Sequence, residues 1–175
     1  KLNGLDNLEK INYFGQLSWE LRQREPKQSL YYGKLAVQMA DSFNLVAEKA
    51  KFSNFLGVAF LYNNVDLTNA IYYFEQALET GLKIKDSVQI AYAYNNISDV
   101  YFEAGHLDES REFTRISIDY FQKIKNSEGI AYGYINMGKI AGKSNQLRES
   151  LDYFNQAQQL YNSHKNINIY TAALF

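Results

Sequence analysis

The chain has 175 residues, 46% of them hydrophobic and 21% charged, a balance that excludes intrinsic disorder and suffices for one ordinary domain. A net charge of −1 with both signs interspersed leaves no broad basic surface for phosphates, so direct nucleic-acid binding is excluded, and no run approaches the ~18 apolar residues of a membrane span. Zero cysteines exclude disulfides, thiol catalysis and thiolate metal sites without fixing the compartment, for which the cytoplasm is slightly favoured.

A single proline, Pro26, and apolar residues at helical spacing between short polar breaks predict an all-α protein. The chain also repeats itself. Lys83 to Tyr94 reads KIKDSVQIAYAY and Lys123 to Tyr134 reads KIKNSEGIAYGY, 8 of 12 positions being identical 40 residues apart. A fixed period of this length means stacked units that work through a long continuous surface.

In chain order, the period predicts helical hairpins near 8–43, 47–85, 88–125 and 128–164, followed by a lone first helix from about 167. In the third hairpin, Ile90, Tyr94, Ile97 and Tyr101 form one face of a helix that ends near Glu103, and a turn follows at Ala104 to His106. Its second helix runs from about Leu107 to Ile124, with Phe113, Ile116, Tyr120 and Ile124 expected on the inner stripe. Gly105 and Asn145, one period apart, suit the left-handed backbone of a helix stop. Tyr170, Ala173 and Leu174 repeat the pattern of Ile130, Gly133 and Tyr134, so the lone helix either caps the stack or marks a single domain cut from a longer protein, the second being favoured.

These residues resemble the tetratricopeptide repeat family, whose motif puts small residues at positions 8, 20 and 27. Position 8 is Gly57, Ser98 and Gly138; position 20 is Ala70, Ser110 and Ser150; position 27 is Ala77, Ser117 and Ala157. Bulky residues fill the gaps: Leu56, Ile97 and Met137 at position 7, Phe60 and Tyr101 at position 11, and Phe74 and Phe154 at position 24. Ala141 and Thr114 depart from that rule, and the first unit, around Trp19 and Ala36, matches more weakly. No proline follows a second helix, and the period is 40 where the family's is about 34. The resemblance implies a right-handed superhelical solenoid of antiparallel hairpins, and its long period is similar to that of bacterial peptide-sensing regulators, sensor kinases and eukaryotic adaptors.

The resemblance further implies that the first helices line a concave groove for a protein or peptide partner. The residues carried over are Lys51, Asn54, Leu61 and Tyr62 in the second unit, then Tyr92, Asn95, Asn96, Asp99, Phe102 and Glu103, and finally Tyr132, Asn136, Lys139 and Lys143. The asparagines read either as a clamp on an extended peptide backbone or as cross-links between neighbouring helices. Tyr92 and Tyr132 read as flat contact surface or as inter-helix packing. The basic pair that clamps a terminal carboxylate in chaperone-binding relatives is not reproduced, because position 9 carries Val58 and Asp99.

Two histidines, His106 in a turn and His164 near a helix end, offer no catalytic constellation, and no phosphate-cradling loop or metal motif is present. The expectation is therefore a binding module without catalysis, cofactor or metal, serving as the sensory or scaffolding segment of a larger bacterial signalling or transcription-regulating protein. The alternative is a structural module that self-associates as a homo-oligomer through its open end.

Overall fold

A computed structural model describes residues 4–63 and 66–163. Within them the chain forms eight helices and no strand: α1 (Asn7–Leu21), α2 (Pro26–Ser42), α3 (Val46–Tyr62), α4 (Leu67–Ile84), α5 (Ser87–Glu103), α6 (Leu107–Lys123), α7 (Ser127–Lys143) and α8 (Leu147–Ser163). The start of each helix follows from local chemistry. Asp86 accepts hydrogen bonds from the backbone N–H groups of Val88 and Gln89, and Asn126, one period later, accepts one from Gly129. Asp6 and Glu9 make a reciprocal capping box at α1. The left-handed stops fall at Gly105 (φ 86°) and Asn145 (φ 61°) inside hairpins, and at Asn44, Lys85 and Lys125 between them. The segment from about 167, with its expected fifth first helix, lies outside the described residues, as does His164.

Helices pair in sequence, α1 with α2, α3 with α4, α5 with α6 and α7 with α8, and each pair stacks on the next. First helices also touch the next first helix, α1 on α3, α3 on α5 and α5 on α7. This is a tetratricopeptide-like solenoid. Its main core runs through the first three hairpins, from Ile11 through Leu56, Phe60 and Phe74 to Ile97 and Val100, and a smaller one around Ala131, Ile135, Ala157 and Tyr161 holds the fourth.

The small residues at positions 8 and 20 do more than make room. Ser29 Oγ donates to the Ser18 carbonyl at 2.6 Å, Ser110 Oγ to the Ser98 carbonyl at 2.9 Å and Ser150 Oγ to the Gly138 carbonyl at 2.7 Å. Three hairpins are thus pinned by one buried hydroxyl at the same repeat position. The second hairpin carries Ala70 there.

Position 24 is matched to position 8 across each of the last three hairpins. Phe74 covers Gly57, and Phe154 covers Gly138, where a Cβ would come within 2.7 Å of the Phe154 ring. In the third hairpin the pair is Thr114 and Ser98, joined through their hydroxyls. Ser110 and Thr114 spend their protons on the carbonyls of Ser98 and Ser110, so Ser98 supplies the proton of that bond. Thr114 departs from the bulky rule because Ser98 already takes up the space that glycine leaves elsewhere.

The inner stripe expected for α6 is corrected by this packing. Phe113, Ile116, Tyr120 and Ile124 are half-buried, while Ser110, Thr114, Ser117, Ile118 and Phe121 are the buried residues. Where the helices approach closely the small side chains Ser110, Thr114 and Ser117 are fully buried, together with the Phe121 ring. Ser117 joins this seam by donating to the Ala91 carbonyl at 2.9 Å.

The outer face of α8 differs from its equivalents. Leu67 and Leu107 are half-buried, whereas Leu147, at the same repeat position, is 70% exposed. Leu151 is 60% exposed where Ile71 and Arg111 are half-buried, the latter because its guanidinium reaches Glu149 and Gln146 of the next hairpin.

Candidate functional site: the first-helix face

The predicted site residues lie on α3, α5 and α7, and the structure links many of them to one another. Asn54 on α3 is buried and donates to the carbonyl and side-chain oxygens of Gln89 at 3.2 and 3.1 Å. Its own oxygen accepts from Asn96 Nδ2 at 3.3 Å. One hairpin later, Asn136 Nδ2 donates to Asn95 Oδ1 at 3.3 Å. The amides therefore form rungs between successive first helices, the cross-linking that their chemistry allows when donor and acceptor meet across a close contact.

Asp99 lies one turn beyond Asn95, half-buried against Asn136. Burial pushes its carboxyl up to about 6; Lys139 pulls it back, Glu103 adds to the rise, and the hydrogen bond from Asn136 pulls it back again. The Lys143 ammonium donates to the Phe102 carbonyl at 3.2 Å and stands 4.5 Å from the Phe102 ring centroid. Glu103 and Lys139 are exposed, without an ion pair among the described residues.

Tyr92 packs edge-on against Phe121, with ring centroids 5.0 Å apart. Burial raises its phenol pKa, a hydrogen bond with Asn126 lowers it, and Glu128 raises it. Tyr132 donates to Glu128 Oε1 at 3.1 Å. Burial, and then the Glu128 carboxylate, push its phenol up to about 12, while Arg22 acts weakly in the opposite sense.

Tyr62 is 47% exposed at the end of α3 and brings in residues that the sequence reading left out. Its hydroxyl accepts from Gln23 at 3.3 Å, and its ring centroid is 5.9 Å from the Arg22 guanidinium. Arg22 in turn stacks 3.8 Å from the Trp19 ring, which lies 5.0 Å from Phe55. The signal for these residues was Ser18, which stands 39 residues before Gly57 and puts Trp19 in the same repeat position as Val58 and Asp99. That offset, one short of the period, hides the register of the first unit.

His106 sits in the α5–α6 turn with its side chain 61% exposed, 3.7 Å from Glu109. Among the described residues no group of three or more His, Cys, Asp or Glu could hold a metal ion, and no helix is long and apolar enough to cross a membrane.

Residues 89–163, the third and fourth hairpins, match the tetratricopeptide repeat family model. No curated protein matches the chain. Among solved structures, BtubC (BKLC) from P. vanneervenii superposes over 96% of this chain and 69% of its own, with a TM-score of 0.72 and 16% identity. The apo form of RapI covers 93% of this chain at a TM-score of 0.75 and 17% identity. Aspartyl phosphate phosphatase F from Bacillus subtilis covers 93% at 0.79 and 14%. The chain spans 59% and 43% of the latter two proteins. At these identities the likeness is one of fold.

Proposed function

We propose that this tetratricopeptide repeat chain, a protein-interaction module, holds a peptide or extended protein segment against the face of α1, α3, α5 and α7, as the sensory or scaffolding part of a larger bacterial signalling protein. The observation that carries this reading is the contrast between the two kinds of repeat position. Those facing the seams are small and repeated, whereas those on the first-helix face change charge from unit to unit: Val58, Asp99 and Lys139 share one position, and Glu103 and Lys143 another. The fold shared with RapI and with an aspartyl phosphate phosphatase of Bacillus subtilis supports the regulatory context.

The amide rungs refine the role of the asparagines. Asn54, Asn96 and Asn136 hold the wall of the groove, and Tyr62, Asp99, Glu103, Lys139 and Tyr132 offer the contacts. The test is affinity for a peptide selected on the chain. Asp99→Asn and Lys139→Gln should each weaken binding by roughly 1–3 kcal/mol where the group meets the peptide. Unchanged affinity for both variants, with the peptide mapped elsewhere by cross-linking, removes the reading.

A second reading, self-association, is favoured by the bare apolar stripe of Leu147 and Leu151. Sedimentation equilibrium of the chain and of a Leu147→Glu, Leu151→Glu variant tests it. Monomers in both cases would reject it.

A further inference from the structure

The first two hairpins carry an aromatic platform with a cation at each end. The Arg22 guanidinium lies 3.8 Å from the Trp19 ring centroid; Trp19 and Phe55 are 5.0 Å apart; the Lys51 ammonium is 5.9 Å from Phe55 and 5.0 Å from Phe52. The guanidinium is also held by its Nη1 donating to the Trp19 carbonyl, with the Tyr62 ring centroid 5.9 Å away. Neither cation forms an ion pair among the described residues. A guanidinium has five N–H donors in a fixed fork, and here only one has a protein acceptor among the described residues. Stacking holds the group in place before any ligand arrives, so little rotamer freedom is left to lose on binding.

We infer that this platform is the station of the groove that takes a peptide carboxylate next to an apolar side chain. The carboxylate pairs with the free edge of Arg22 in the bidentate geometry that guanidinium favours. Lys51 adds a second positive charge, and the apolar neighbour lies on the Trp19 and Phe55 rings. The inference rests on the reading of the first-helix face as the binding face. It adds the chemistry of one ligand group, an acidic residue or a terminal carboxylate, to that reading.

The platform contains the single tryptophan of the chain, so its emission reports this station alone. Random dodecapeptides displayed with a blocked C-terminus are selected on the full chain, and the winners are titrated against Trp19 fluorescence. The expected winners pair Asp or Glu with an aliphatic or aromatic residue and shift the emission. Replacing that acid by its amide weakens binding by about tenfold or more, the size of one charged hydrogen bond. This comparison uses the unaltered chain and is independent of how any variant folds. Selection on Arg22→Gln, checked by its thermal melt, loses the acidic preference. If blocked peptides fail but free C-terminal acids bind and shift the emission, the carboxylate is a terminal one. Winners without acidic enrichment, or enrichment that survives Arg22→Gln, overturn the station and leave the groove reading intact. An absence of any binding peptide removes both.

Discussion

The second and third hairpins solve the same packing problem with opposite chemistry. In the second, a phenylalanine fills the space that Gly57 leaves; in the third, Thr114 and Ser98 share that space and close it with a hydroxyl bond. The fourth hairpin, with Gly138 and Phe154, follows the second. In the last three hairpins the two positions are filled together, glycine with phenylalanine or serine with threonine, whereas the first sets Ser18 against Gly33 and closes the gap with Leu56. The third hairpin also stands apart on the first-helix face, where Asp99 takes the repeat position held by Val58 and Lys139 in its neighbours.

The comparison breaks most sharply at Phe74. Phe74→Ala empties a fully buried site over a glycine that cannot fill it, and should cost about 3–5 kcal/mol in urea unfolding. The same substitution at Phe154, 36% exposed, should cost clearly less; equal losses would mean that Phe154 is packed as deeply as Phe74.

Asp99 gives the next effect, and its sign is fixed by direction. A carboxyl whose pKa rises from 3.8 to about 6 on folding binds its proton more tightly in the native state. Its stabilising protonation is complete below pH 3.8 and lost as pH climbs through 6. Asp99→Asn should therefore stabilise the fold near pH 7 by at most about 3 kcal/mol, with the gain shrinking toward pH 4. A gain that is constant with pH would show that Asp99 is not held in this environment.

The pair rule is sharpened by a double-mutant cycle. Thr114→Phe should destabilise by about 1–3 kcal/mol through overpacking against Ser98. Adding Ser98→Gly recreates the pair of the second hairpin and should recover most of that loss. Additive losses would refute the rule. The smallest effect is at the pinning hydroxyl: Ser150→Ala should cost about 1 kcal/mol, and Ala70→Ser, its reverse in the second hairpin, should cost little if the hydroxyl finds the Gly57 carbonyl.

Much of this was legible in the sequence because stacking leaves a periodic trace. The small residues at positions 20 and 27 and the turn residues Gly105 and Asn145 announced themselves one period apart, and those at position 8 fell within one residue of it. Pairwise compensation was not legible, since Thr114 reads as an exception until its distance from Ser98 is known. The α6 stripe was misassigned for a related reason: hydrophobicity singles out Phe113 and Tyr120, whereas depth belongs to whichever side chain stands at the closest approach of two helices. On the groove side, sequence alone could not choose between clamp and cross-link for the asparagines, because the choice depends on which amide faces which. The Trp19 platform was hidden by an offset of 39 in place of 40.

The rungs from Asn96 to Asn54 and from Asn136 to Asn95 tie neighbouring hairpins together through their first helices. Such a stack behaves as a spring, in which a small rotation at each junction adds along the axis. The rungs sit between successive first helices, where they hold one junction to the next. A ligand that prised one amide pair apart would change the curvature of the whole coil, and the outer helices would register the event far from the point of contact.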